Sequence, residues 1–167
     1  MTFEFTGVMP MQPHLLKFVY WMENMEPGEP IDLTKKTMIT RTMLLLFTPK
    51  KQIPINDSDT VTNQFTRFTV KLKYSITLRQ KQFKDFYISR SNIALFNDHM
   101  HLLFHEILTQ RILTQIHSKK EKTIVEDYLK EIGADDDIDW HTVKRTNGRL
   151  RGNKEIPTIH QLKAAFR

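Results

Sequence analysis

The chain has 167 residues, 40% hydrophobic and 26% charged, enough for one domain or a body with a small appendage. It has no cysteine, which excludes disulfides, thiolate metal sites and a cysteine nucleophile. Of 25 basic and 19 acidic side chains, seven basic and one acidic fall in the last 27 residues, so the first 140 are neutral and the net charge of +6 lies at the C-terminal end.

In chain order, the alternation of Phe3 and Phe5 predicts a short strand over residues 2–6. A helix is expected over 13–25, opened by Pro13, with Leu15, Leu16, Val19, Tyr20 and Met22 as its apolar stripe. A second is expected over 33–47, capped by Asp32 or Thr34, with Met38, Thr42, Leu45 and Leu46 on one face. Residues 48–60 read as a loop, since Pro49, Pro54 and the polar run at 56–59 disfavour regular structure. From 68 to 77 the residues alternate strictly, Phe68, Val70, Leu72, Tyr74 and Ile76 against Thr69, Lys71, Lys73, Ser75 and Thr77. That is a half-buried strand, with residues 2–6 and 86–89 its expected partners. Its aromatics share the apolar face and its lysines lie opposite, so they read as core and not as a base-stacking surface.

Ser91 is expected to cap a long helix over 92–117, with Ile93, Phe96, Met100, Leu103, Phe104, Ile107, Leu108, Ile112 and Ile116 at steps of three and four. At 1.5 Å per residue it is roughly 40 Å long. A further helix is expected from about 121 to 132, ended by Gly133. Asp135, Asp136, Asp137 and Asp139 lack the spacing of a calcium-binding loop and suit the positive end of the following helix. That helix is expected to pack through Ile138, Trp140, Val143 and Leu150. Pro157 opens a last short turn.

The chemistry follows from this pattern. A neutral body with a basic end points to a polyanion. Lys144, Arg145, Asn147, Arg149 and Arg151 sit on a helix that follows another helix, the arrangement of a DNA-contacting helix–turn–helix, and Lys154, Lys163 and Arg167 extend the charge. Arginine can bond guanine and asparagine adenine. Asp98, His101 and His105 share a helical face and are the one metal-ligand candidate, without an HExxH motif; the expectation is no metal and no cofactor. No nucleophile–base constellation appears, so no catalysis is expected. No apolar run exceeds five residues and no signal segment opens the chain, so a cytoplasmic protein without a membrane partner is expected.

Two stretches, TFEFTGVMPMQPHLLKFVYWM and EKTIVEDYLKEIGADDDIDWHTVKRTNGRLR, together with FNDHMHLLFHEIL between them, resemble small uncharacterised proteins of bacterial phages and mobile elements. The resemblance covers roughly half of the chain. It implies an accessory role in an element's replication, transfer or gene control.

The sequence therefore predicts an α+β fold, a small antiparallel sheet packed on several helices, with a C-terminal helical hairpin and basic tail. The body spans 1–118 and the basic appendage 119–167. The expected function is non-enzymatic binding of nucleic acid, DNA before RNA. The alternative is a structural protein that forms homo-oligomers through the helix 92–117 and keeps a solvated basic tail.

Overall fold

The computed structural model of the chain describes residues 2–49, 69–77 and 86–153, with side chains over 10–46 and 89–153. Over the residues described with their side chains, 68% of positions are helical and 3% extended. This overturns the expected α+β architecture: the described core is made by five helices, not by a sheet with helices laid on it. They are α1 (Pro13–Glu23), α2 (Met38–Leu45), α3 (Arg90–Gln115), α4 (Glu121–Glu131) and α5 (Trp140–Gly152). The physical reason lies in the apolar stripes. Each helix contributes buried apolar side chains at helical spacing, Phe18 on α1, Met43 on α2, Phe104 on α3, Tyr128 on α4 and Val143 on α5.

Extended backbone is present beside the helices. β1 (Thr2–Pro10) pairs antiparallel with β4 (Thr69–Thr77), and β2 (Ile31–Asp32) pairs parallel with β4. β3 (Phe47–Pro49) pairs antiparallel with β5 (Phe86–Ile88), so residues 86–88 join β3 and not the long strand. The ladder is therefore not antiparallel throughout. Among the strand residues described with their side chains, Ile31 is buried. Most of the loop expected over 48–60, and the turn expected after Pro157, lie outside the described residues.

The chain divides into two compact units, Met1–Gln12 with Val19–Asp98, and Pro13–Phe18 with His99–Arg167. The division falls inside α1 and α3, whereas the sequence suggests a boundary at 118.

In the first unit Val19, Tyr20, Ile31, Leu33, Ile39, Met43 and Phe96 are at most 3% exposed. Its helix starts differ from expectation because nearby side chains compete for the backbone. The Asp32 carboxylate accepts bonds from the Thr34 amide (2.9 Å) and hydroxyl (2.7 Å), closing a local turn. The cap of α2 is instead Thr37, whose hydroxyl accepts from the Thr40 amide while Thr40 Oγ1 accepts from the Thr37 amide. Starting at 38, α2 buries Ile39, Thr40 and Met43 and leaves Met38 and Leu45 49% and 84% exposed, a face other than the expected one. Likewise Ser89, not Ser91, caps α3: its hydroxyl accepts from the Asn92 amide at 3.1 Å.

In the second unit Phe104 is central. Its ring meets Phe18 edge-on at 5.6 Å and Tyr128 at 5.2 Å, and the Tyr128 hydroxyl donates to the Phe104 carbonyl at 3.3 Å. Burial pushes the Tyr128 phenol well above its ordinary pKa. Arg111 joins α3 to α4 by a two-pronged pair with Glu131, and its guanidinium lies 4.9 Å from the Tyr128 ring centre. Helix α4 closes as expected at Gly133, whose φ of 68° is left-handed. There the Gly133 amide donates to the Lys130 carbonyl and the Ala134 amide to the Leu129 carbonyl, the paired bonds of a Schellman end. Among the described residues, no helix is long and apolar enough to cross a membrane.

Candidate functional site

Helix α5 owes its start to Asp139. One carboxylate oxygen accepts from the Thr142 amide at 3.0 Å and the other from the Thr142 hydroxyl at 2.7 Å, and these bonds hold the carboxyl below its usual range. Asp137 is bound elsewhere, 2.9 Å from Lys17 Nζ, whereas Asp135 and Asp136 are exposed. Eight residues separate α4 from α5, more than the short turn of a DNA-binding helix–turn–helix.

The inner face of α5 is Val143, Asn147 and Leu150, all buried. Burial corrects the role expected of Asn147. It is 1% exposed, and its amide nitrogen donates to the His105 carbonyl (3.1 Å) and to Thr109 Oγ1 (2.9 Å). It cannot reach a base edge. The spacing 143, 147, 150 could have revealed this, because it places the asparagine on the same stripe as the two apolar residues.

The outer face carries Lys144, Arg145 and Arg149, all exposed, and the half-buried Arg151. Lys144 Nζ lies 3.4 Å and Arg151 Nη2 3.9 Å from the Glu121 carboxylate of α4. Arg145 and Arg149, one turn apart on α5, have no ion pair among the described residues. Between them Gly148 meets open space where a side chain would be. Lys154, Lys163 and Arg167 lie outside the described residues.

Beside this face is an open groove of about 680 Å³, lined by Trp140, His141, Thr142, Lys144, Arg145 and Gly148. The rings of Trp140 and exposed His141 lie 3.8 Å apart between centres, inclined by 33°. Lys122 Nζ and Lys144 Nζ stand 5.4 and 5.7 Å from the indole centre. The sequence pattern marks Trp140 as a packing residue and does not single out His141 or Lys122. The signal was present in the sequence as an adjacent Trp-His pair on the helix that carries the charge.

The metal candidates are not gathered into a site. Asp98 is exposed while His105 is 1% exposed. Among the described residues no three ligating side chains are placed to hold an ion. The imidazole rings of His101 and His105 meet at 4.7 Å, and His14 packs on Phe104 at 5.7 Å. Burial, with repulsion from neighbouring histidines, lowers His105 to a pKa of about 3. Burial and His101 lower His14 to about 4, against a smaller opposing pull from Asp137. Both rings are therefore neutral at pH 7 and serve as core.

Comparison with protein-family models, with curated proteins and with solved structures found no match to this chain.

Proposed function

We propose that this chain is a non-enzymatic nucleic-acid-binding protein that contacts phosphates through the outer face of α5. The observation that carries the reading is the pair Arg145 and Arg149. Both are exposed, neither has an ion pair among the described residues, and α5 itself holds no acid. Such a row of guanidinium groups binds phosphate oxygens without reading sequence. The burial of Asn147 removes the base-reading side chain expected beside them, so affinity here is electrostatic. Lys154, Lys163 and Arg167 would continue the charge beyond α5.

The alternative, oligomerisation through the long helix, would need an uncovered stripe on α3. Phe96, Met100, Phe104, Leu108 and Ile112 are each at most 2% exposed within the single chain, whereas Leu95 is 61% exposed and Ile93, Leu103 and Ile107 are half-buried, so less than the whole stripe is left for a second copy. An accessory role for a mobile element, in the cytoplasm, accords with this activity.

Binding measured against salt tests the reading. Each phosphate contact contributes a slope of about 0.9 on duplex DNA and about 0.7 on single strands in a log–log plot. The chain should bind more weakly as salt rises, and Arg145→Gln with Arg149→Gln should lower the slope by about 1.5 to 2. Affinity that is constant from low to high salt rules the reading out.

A further inference from the structure

We infer that the groove beside α5 holds an unpaired nucleotide of a single strand, its base against the Trp140–His141 ring pair and its phosphate on Lys144 and Arg145. The inference rests on the nucleic-acid reading above and narrows it from phosphate contact in general to a strand whose bases are free to stack.

Three features meet within a little over two turns of helix, from Trp140 to Gly148. The first is aromatic surface. The exposed imidazole of His141 stacks on the Trp140 indole with ring centres 3.8 Å apart, so the pair offers outer ring faces, the kind of surface on which bases of any sequence stack. The second is cationic. Lys144 and exposed Arg145 line the same groove, and the Lys122 ammonium stands 5.4 Å from the indole centre. The third is room. Gly148 has no neighbour within 4 Å of where a Cβ would be, so nothing projects from that part of the groove.

Charge fixes the polarity. Asp139 caps the helix on one side of Trp140, where Asp135, Lys130 and Glu126 also lie, Glu126 being 3.6 Å from Lys122, and the excess of carboxylates there disfavours a phosphate. Lys144 and Arg145 lie in the other direction, toward Arg149, so the strand would run from the ring pair along the cationic face. A paired base inside a duplex shows no free ring face. The ring pair therefore discriminates for single strands, while the arginines alone do not.

The test compares four ligands with the 167-residue chain: a single strand of about twelve nucleotides, an abasic strand of the same length and charge, a duplex, and a free mononucleotide. The single strand should bind about 5- to 100-fold more tightly than the abasic strand and should quench tryptophan fluorescence. Trp140→Ala should close that gap, whereas Trp140→Phe, which keeps a ring and the helix start, should retain most of it and lose the quenching. Equal, salt-dependent binding of the normal and abasic strands overturns this inference and leaves the phosphate-contact reading standing. A mononucleotide bound as tightly as the strand overturns the assignment to a strand. If no strand binds even at low salt, both readings fall together.

Discussion

Asn147 Nδ2 on α5 donates a hydrogen bond to Thr109 Oγ1 on α3 at 2.9 Å, in a site where both residues are at most 1% exposed. The Thr109 hydroxyl in turn donates to the His105 carbonyl at 2.8 Å, and that carbonyl also accepts from Asn147. These bonds tie the inner face of α5 to α3, away from the exposed Lys144, Arg145 and Arg149, while Asn147 Oδ1 is buried without a hydrogen-bond partner. Asn147→Ala leaves the buried Thr109 Oγ1 without the donor it accepts from, while the His105 carbonyl keeps the Thr109 hydroxyl, and should destabilise the chain by about 1–3 kcal/mol. Denaturant unfolding measures this. Where the variant is still folded it should bind nucleic acid as tightly as the parent, whereas a base-reading asparagine would give loss of affinity without loss of stability.

Two glycines should respond to alanine with opposite signs. Gly133 has a left-handed φ of 68° and ends α4, while Gly148 lies inside α5. Neither has an atom within 4 Å of a built Cβ, so only the backbone decides. Gly133→Ala should destabilise by about 1 kcal/mol because the side chain disfavours the left-handed region. Gly148→Ala should stabilise by about 0.5–1 kcal/mol because alanine loses less chain entropy in a helix. Unfolding midpoints of the two variants, measured side by side, check both signs.

The buried histidines predict acid sensitivity. In the unfolded chain both titrate near 6.5, whereas in the folded chain His14 titrates near 4 and His105 near 3. Between those limits the unfolded chain holds more protons, so stability is full above 6.5 and falls as pH drops toward 4 and then 3. The loss is on the order of 3 kcal/mol for His14 and about 5 kcal/mol for His105 once both have titrated. Asp137 faces His14 and opposes part of its shift, while His101 adds to the shift of both. Urea midpoints at pH 7, 6, 5 and 4 should decline steadily, and less steeply in His14→Gln. A flat profile from pH 7 to 4 would show that these rings are not held neutral by burial.

What the sequence made legible follows from which forces are local. The helix ends at Pro13 and Gly133 were readable because proline and glycine act through their own backbone. The stripe from Phe96 to Ile112 was readable because burial follows a 3.6-residue period. The cap of α2 was not, since Asp32, Thr34 and Thr37 all offer a suitable oxygen and the local turn at Asp32 determines which is free. The fold class failed for a different reason. The strict alternation from 68 to 77 correctly indicated extended backbone, but periodicity within one element does not say what its apolar face covers. The charge excess located the outer face of α5, and the rotation of that helix, which hides Asn147 and presents Trp140 and His141, depends on partners 38 and 42 residues away in sequence.

Glu121 provides the sharpest test of whether the cations of α5 are there to meet phosphate. Its carboxylate lies 3.4 Å from Lys144 and 3.9 Å from Arg151, so it neutralises part of the face that the strand would use. These pairs are partly exposed, and exposed pairs contribute little, about 0–1 kcal/mol. Glu121→Gln should therefore change stability by less than about 1 kcal/mol. It removes one negative charge and releases two cations, so nucleic-acid affinity at low salt should rise several-fold and the salt slope should steepen by about 1. A purely structural role for the basic helix predicts the reverse pattern, a measurable loss of stability with no change in binding. Denaturation and salt-titrated binding on the same preparation separate the two outcomes.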